Sequence, residues 1–249
     1  MSPTDPGRRL ATFNAQARWP KDSRPVTMES KENDPMSVPQ RSRSASRPRA
    51  RGLTPSTRLA LSFDTRAPLT DHLLLLLSSA NSDLRLERSA EGDLIIMSPA
   101  GADSGGRNFE LSGQLHAWTR GAGLGLGKAF DSSAGFRLPN NAVRSPDASW
   151  VTLDRWNALA PDEQKRYAPL CPDFVVELRS PSDPLSEIRA KMREYLEQGA
   201  RLGWLIDPQR NAVEIHRPGR PVEVLEAPAL LSGEDVLPGF TLDLTGILS

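Results

Sequence analysis

Beyond residue 52 the hydrophobic period of the chain changes repeatedly, and each change marks an element. "PLTDHLLLLLSSAN" (Pro68–Asn81) sets five leucines between polar flanks and reads as a short helix. Leu84, Leu86 and Arg88 then alternate, the chain turns at Glu91-Gly92, and Leu94-Ile95-Ile96 resumes the run, which predicts a β-hairpin. Phe109, Leu111, Leu115 and Trp118 recur at roughly helical spacing, and Gly121 is placed to end that helix. "GLGKAFDSSAGFRLPN" and "AVRSPDASWVTLDRW" read as strands joined by a Pro-Asn-Asn turn, followed by a polar excursion of helical character over residues 160–170. Phe174–Leu178 is a compact apolar strand. Leu185–Gln198 predicts a helix with Ser182 or Asp183 as its cap, Pro184 near its first turn, and Ile188, Met192 and Tyr195 as its apolar stripe. "RLGWLIDP", "NAVEIHRPG", "PVEVLEAP" and "LPGFTLDL" predict a C-terminal antiparallel meander. The sum is an α/β or α+β domain, a mixed sheet flanked by helices.

Composition divides the chain in two. Met1–Arg58 holds 12 Lys and Arg against 5 Asp and Glu, a charge of +7; the remainder holds 19 against 26, a charge of −7. Residues 1–52 are rich in Pro, Ser and Arg, with few aromatics and no sustained period. Such a segment cannot bury enough apolar surface to offset its ordering entropy, so a disordered tail is expected, with the folded domain over 53–249. A solvated tail, or a start codon placed ahead of a true initiator at Met28 or Met36, outweighs a nucleic-acid-binding arm. The single cysteine, Cys171, excludes an intramolecular disulfide and fits a reducing cytoplasm. The longest apolar run, Leu73–Leu77, is far short of a membrane span, and no secretory signal is readable. One Cys and three scattered His make a Cys/His zinc site improbable, so a metal here would be held by oxygen, which points to Mg²⁺ or Mn²⁺.

The candidate chemistry centres on "CPDFVVELRSPSDPLSEIRAKMREYLEQG". In a strand, Asp173, Val175, Glu177 and Arg179 share one face and Phe174, Val176 and Leu178 the other, so Glu177 faces a cleft rather than oil. A buried carboxylate needs a cation or metal beside it. Lys191 follows on the helix; in a chain of 26 Arg and 5 Lys, a lysine here suggests a requirement for a compact ammonium, while a Glu187–Lys191 surface pair is the plainer reading. "VRSPDASWV" places a second acid, Asp147, at the start of a strand. Asp173 also follows a proline and competes with Asp147, but it lies on Glu177's own strand, about 13 Å away at full extension.

The order Pro146-Asp147, Glu177, lysine resembles the PD-(D/E)XK nuclease superfamily, and more specifically the Uma2 endonucleases (DUF820). "LRLERSAEGDLIIMSP", "FRLPNNAVRSPDASWV", "CPDFVVELRSPSDPL", "KMREYLEQGARLGWLIDP" and "LPGF" are similar to that family's blocks, in its order, over roughly Leu53–Leu248. The resemblance implies a restriction-endonuclease-like fold, with Asp147 and Glu177 as metal-binding acids, Lys191 as catalytic lysine and Glu110 as an early helix acid, with Asp103 behind it. Arg179 stands where the superfamily's strand lysine would be, so the resemblance implies that the lysine has moved to the helix. Arg179 is then a phosphate contact or a partner of Asp173. Arg107, Arg137, Arg144 and Arg179 would form a local basic patch.

The expected function is a Mg²⁺-dependent endonuclease hydrolysing DNA. The alternatives are a catalytically silent module of the same fold that binds nucleic acid or protein, and hydrolysis of RNA. The meander edge is suited to pairing with a second copy.

Overall fold

In a computed structural model the described residues are 58–61, 69–97 and 100–248. The expectation of a disordered tail over residues 1–52 falls outside them. The elements in chain order are β1 (Arg58–Leu61), α1 (Asp71–Ala80), β2 (Arg85–Arg88), β3 (Leu94–Met97), α2 (Ala102–Arg120), β4 (Gly127–Asp131), β5 (Phe136–Arg137), β6 (Val143–Arg144) and β7 (Ala148–Thr152). There follow α3 (Leu153–Asn157), α4 (Pro161–Gln164), β8 (Phe174–Leu178), α5 (Leu185–Glu197), β9 (Leu202–Asp207), β10 (Ala212–His216), β11 (Glu223–Glu226), β12 (Leu230–Ser232) and β13 (Thr241–Asp243).

The strands form three sheets. A six-stranded sheet runs β11-β10-β9-β8-β7-β4, with β8 and β9 parallel and every other pair antiparallel. The parallel pair needs a crossover, and α5 supplies it. Alternation along β8 sends Phe174, Val176 and Leu178 into one apolar cluster and Val175 into another. The first cluster packs under Leu111, Leu115 and Trp118 of α2 and under the C-terminal segment carrying Leu237, Phe240 and Leu242. The second packs under Ile188, Met192 and Tyr195 of α5, the predicted stripe at i, i+4, i+7. The mixed sheet between helices is therefore the observed architecture.

A five-stranded antiparallel sheet, β1-β3-β2-β6-β5, stands beside it. Its β2–β3 hairpin turns where expected. Ser89 and Asp93 close the loop through Ser89 N–H donating to the Asp93 carbonyl, and Gly92 takes φ +94°, a conformation open to glycine. This register sets Arg88 against Leu94 and Glu87 against Ile95.

Several local expectations change. The two strands expected around the Pro-Asn-Asn turn are four: β5 and β6 flank the turn and pair in the smaller sheet, while β4 and β7 pair in the larger. Asp131 ends β4 by accepting from the Ser133 backbone and hydroxyl, and Pro146, with no N–H to give, separates β6 from β7. Three of the four meander runs are β9, β10 and β11; the fourth, β13, leaves to pair with β12 in a two-stranded sheet. Phe109, counted with the helix's apolar positions, is exposed. Neither Ser182 nor Asp183 caps α5: the N-cap is Pro184, and the Asp183 carboxylate turns back to the Ser180 N–H and hydroxyl.

One close approach fixes α5 on the sheet. Gly203 on β9 lies under the helix, and a Cβ there would collide with Met192 Cε, which is fully buried. Gly203→Ala is expected to cost about 1 kcal/mol of stability, since the flexible end of Met192 must swing aside within a packed core. Chemical denaturation checks this, and an unchanged midpoint would show that Met192 repacks without cost.

Candidate active site

Two neighbouring strands and one helix assemble the expected residues. Asp147 immediately precedes β7; its N–H donates to the Val176 carbonyl (3.0 Å), and its Oδ2 accepts from the Leu178 N–H (2.9 Å). It thus brackets Glu177 from the adjacent strand. Glu177 shares the α5 face of β8 with Val175. From the helix, Lys191 Nζ lies 2.9 Å from Glu177 Oε1, and the Tyr195 hydroxyl donates to the same oxygen at 3.0 Å. Lys191 and Tyr195 are four residues apart, which places both on one helix face. Asp147, Glu177 and Lys191 all line one cavity of about 1110 Å³, together with the first turns of α2.

A residue the sequence reading missed completes the cluster. Glu87, on β2 of the smaller sheet, is 1% exposed. Its Oε1 accepts from Lys191 Nζ (2.9 Å) and from the Ser145 N–H (2.9 Å), and its Oε2 lies 3.2 Å from Arg144. Arg85, two residues earlier on the same strand, reaches Asp147 Oδ1 at 3.0 Å. The available signal was the density of charge in "RLER", a strand whose alternation leaves Arg85 and Glu87 together on the face away from Leu86. Tyr195 was assigned to the apolar stripe; its position four residues beyond Lys191 was the clue to a second role.

The two glutamates are shifted in opposite directions. Burial pushes Glu87 upward, but Lys191 and Arg144 overcome it and hold its carboxyl down at about 2. Burial pushes Glu177 up, Lys191 offsets part of this, and Asp147 and Glu87 add to it, leaving its carboxyl at about 7. Lys191 loses hydration on burial, yet Glu177 and Glu87 raise its pKa above the ordinary lysine value. Burial and the nearby Glu177 and Glu87 charges push the Tyr195 hydroxyl well up, so it remains a donor.

Other candidates lie elsewhere. Glu110 is exposed on α2, outside the cavity lining; Asp103 lines the cavity and pairs with Arg107 at 2.9 Å. Asp173 is buried and tied to the Thr152 N–H and to Arg155, both at 2.9 Å, so it is a structural acid between β7 and β8. Arg179 pairs with Asp207 (2.9 Å) and donates to the Asp183 carbonyl, rather than meeting Asp173. The expected arginine patch is internally paired: Arg107 with Asp103, Arg137 with Asp71, and Arg144 with Glu87 and Glu194. Lys191 meets Glu87 and Glu177, in place of the expected surface pairing with Glu187. Lys128 sits over the Trp156 ring, 5.1 Å from its centroid, on the edge strand. Burial raises the Cys171 thiol to about 12, in keeping with an inert small hydrophobe.

Among the described residues no group of three or more His, Cys, Asp or Glu is arranged to hold a metal ion. The donor chemistry nonetheless fits a hard cation. Asp147 and Glu177 offer oxygen alone, each Asp147 oxygen accepts one hydrogen bond and keeps a free lone pair, and a divalent ion would relieve the charge that burial makes costly on Glu177. Magnesium commonly binds through one or two carboxylates and keeps several waters.

Comparison with known proteins gives the following. A family model described as "Uma2: Putative restriction endonuclease" matches residues 70–245. A solved structure titled as a putative nuclease belonging to DUF820 from Anabaena variabilis ATCC 29413 is similar, with a TM-score of 0.55 and 19% identity, covering 66% of this chain and 89% of that one. At that identity the likeness speaks for the fold. No curated protein matches. No helix among the described residues is long and apolar enough to cross a membrane.

The raised Glu177 carboxyl has a consequence for stability. The folded state binds this proton more tightly than the unfolded chain, so the wild type loses stability as pH climbs from about 4.5 to about 7. Glu177→Gln removes that loss while leaving an acceptor for Tyr195. At pH 8, without divalent ions, the variant is expected to be more stable by roughly 1–3 kcal/mol, the gain fading toward pH 4. Denaturation at both pH values tests it; a gain independent of pH would refute the assignment.

Proposed function

From the chain's membership of the Uma2 family, whose model spans residues 70–245, and from the grouping of Asp147, Glu177 and Lys191 on one cavity, we propose a divalent-metal-dependent endonuclease that hydrolyses DNA phosphodiesters. The observation that carries this is the Lys191 ammonium, 2.9 Å from a Glu177 carboxylate that Asp147 brackets from the next strand. Asp147 and Glu177 would hold Mg²⁺ or Mn²⁺, which when bound polarises the phosphodiester and makes a water acidic enough to attack. The chain's own part is positional and electrostatic. Tyr195 fixes the Glu177 carboxylate through a hydrogen bond, and Arg85 and the Leu178 N–H fix that of Asp147. Lys191, whose side chain is largely buried, presents positive charge where the five-coordinate phosphorus gathers negative charge.

The charge of the cavity favours a second reading. Seven carboxylates line it against one arginine and one lysine, and a polyanion enters such a cleft only with cations to offset them. A catalytically silent module of the same fold that binds a cationic protein partner, rather than nucleic acid, would accommodate that balance.

The test is cleavage of supercoiled DNA, single-stranded DNA and RNA with Mg²⁺ or Mn²⁺. The wild type is compared with Asp147→Ala, Glu177→Ala and Lys191→Ala, each checked for folding. The expected result is DNA cleavage in the wild type that falls by at least about 100-fold in each variant. Loss of metal binding is expected in the two acid variants and retention in the lysine variant. Cleavage confined to RNA would reassign the substrate. A folded wild type that takes up no Mn²⁺ and cuts nothing would leave the binding-module reading.

A further inference from the structure

Glu87 has a place in the cluster that a metal ligand would not need. Its carboxylate is almost wholly buried, and both oxygens are committed: Oε1 to Lys191 and to the Ser145 N–H, Oε2 to Arg144. Arg144 is in turn held by Glu194 at 2.6 Å, and Glu194 by Asn140 at 2.9 Å. These contacts run from the smaller sheet, through the β5–β6 turn, to α5, the helix that carries Lys191. A lysine on a helix has four flexible carbons between backbone and charge; without Glu87 it would be held by one ion pair, to Glu177, and by the Tyr195 ring, whose centroid lies 5.9 Å from its nitrogen. We infer that Glu87 is a positioning residue, a buried carboxylate that anchors the Lys191 ammonium from the second sheet and so fixes it at the reaction centre. This rests on the proposed nuclease reading for its effect on turnover, but the anchoring itself does not.

The ammonium lies between two acids, and Arg144 on the far side of Glu87 completes the charge balance of the anchor. With Glu87 neutralised, the ammonium keeps one anionic partner and its stem regains rotamer freedom. Displacement of a catalytic group by about 1 Å is enough to lower a rate about 100-fold. Metal binding by Asp147 and Glu177 would continue.

The chain has five lysines, so the ammonium proton–nitrogen resonances of the full-length protein are few, and Lys191→Ala identifies the one of interest. In the wild type the Lys191 resonance is expected to be observable in slow exchange. In Glu87→Gln it is expected to broaden or vanish, with kcat down by about 10–100-fold and KM and Mn²⁺ affinity within about 3-fold. Should the Gln variant fail to fold, Glu87→Asp is read in its place, because it keeps the charge while drawing it back from Lys191. A wild type without that resonance, or a folded variant with the resonance and kcat unchanged, would overturn the inference. So would loss of Mn²⁺ binding in step with activity, which would make Glu87 itself a ligand. If the wild type cuts no nucleic acid, the nuclease reading falls while the resonance still decides whether Glu87 holds Lys191.

Discussion

The ammonium of Lys191 between Glu177 and Glu87 is the interaction on which the site depends. It joins three separately built parts: β8 of the larger sheet, β2 of the smaller one, and the crossover helix α5. Each part has its own reason to exist. The β8–α5–β9 unit follows from a parallel pair that needs a helical connection, and the smaller sheet buries its own apolar cluster under α1. The cleft exists because these bodies meet at charged groups. An unpaired charge at that depth would be costly, so the salt-bridged cluster also specifies how the two sheets are apposed.

The same cluster distributes strain unevenly. Two cations surround Glu87 and keep it ionised, whereas Glu177 shares a single ammonium with it and faces Asp147 as well. A fold selected for stability alone would have no use for the second acid. Perturbed carboxylates in clefts are associated with function, and Glu177 is one.

Much of this was readable in the sequence. The exact span of β8, the face carrying Glu177, and the stripe of Ile188, Met192 and Tyr195 all follow from local periodicity, which the chain's two strand faces and one helix stripe express without ambiguity. Asp147 was readable from its strand-start position together with the family resemblance. Glu87 was not. Its partner lies 104 residues away, and no local period records which of a strand's two faces will meet a second sheet. The arginines were misjudged for a related reason: sequence proximity to site segments says nothing of the carboxylates that neutralise Arg107, Arg137, Arg144 and Arg179. The departure of β13 from the meander was likewise set by packing of Leu242 and Phe240 against the core beneath α2.

The β2–β3 turn carries more responsibility than its exposed position suggests. Arg85 and Glu87 occupy one side of β2 and Leu86 the other, and the five residues Ser89–Asp93, with Gly92 at positive φ, fix the register. A strand has a parity: a slip of one residue in its pairing exchanges its two sides. A slip of that size in β2 would bring Leu86 to face Lys191 and carry both charges into the apolar cluster under α1. An exposed loop thus acts as the counting device for the candidate site, and its constraint is one of odd and even numbers rather than of distance from the charged cluster.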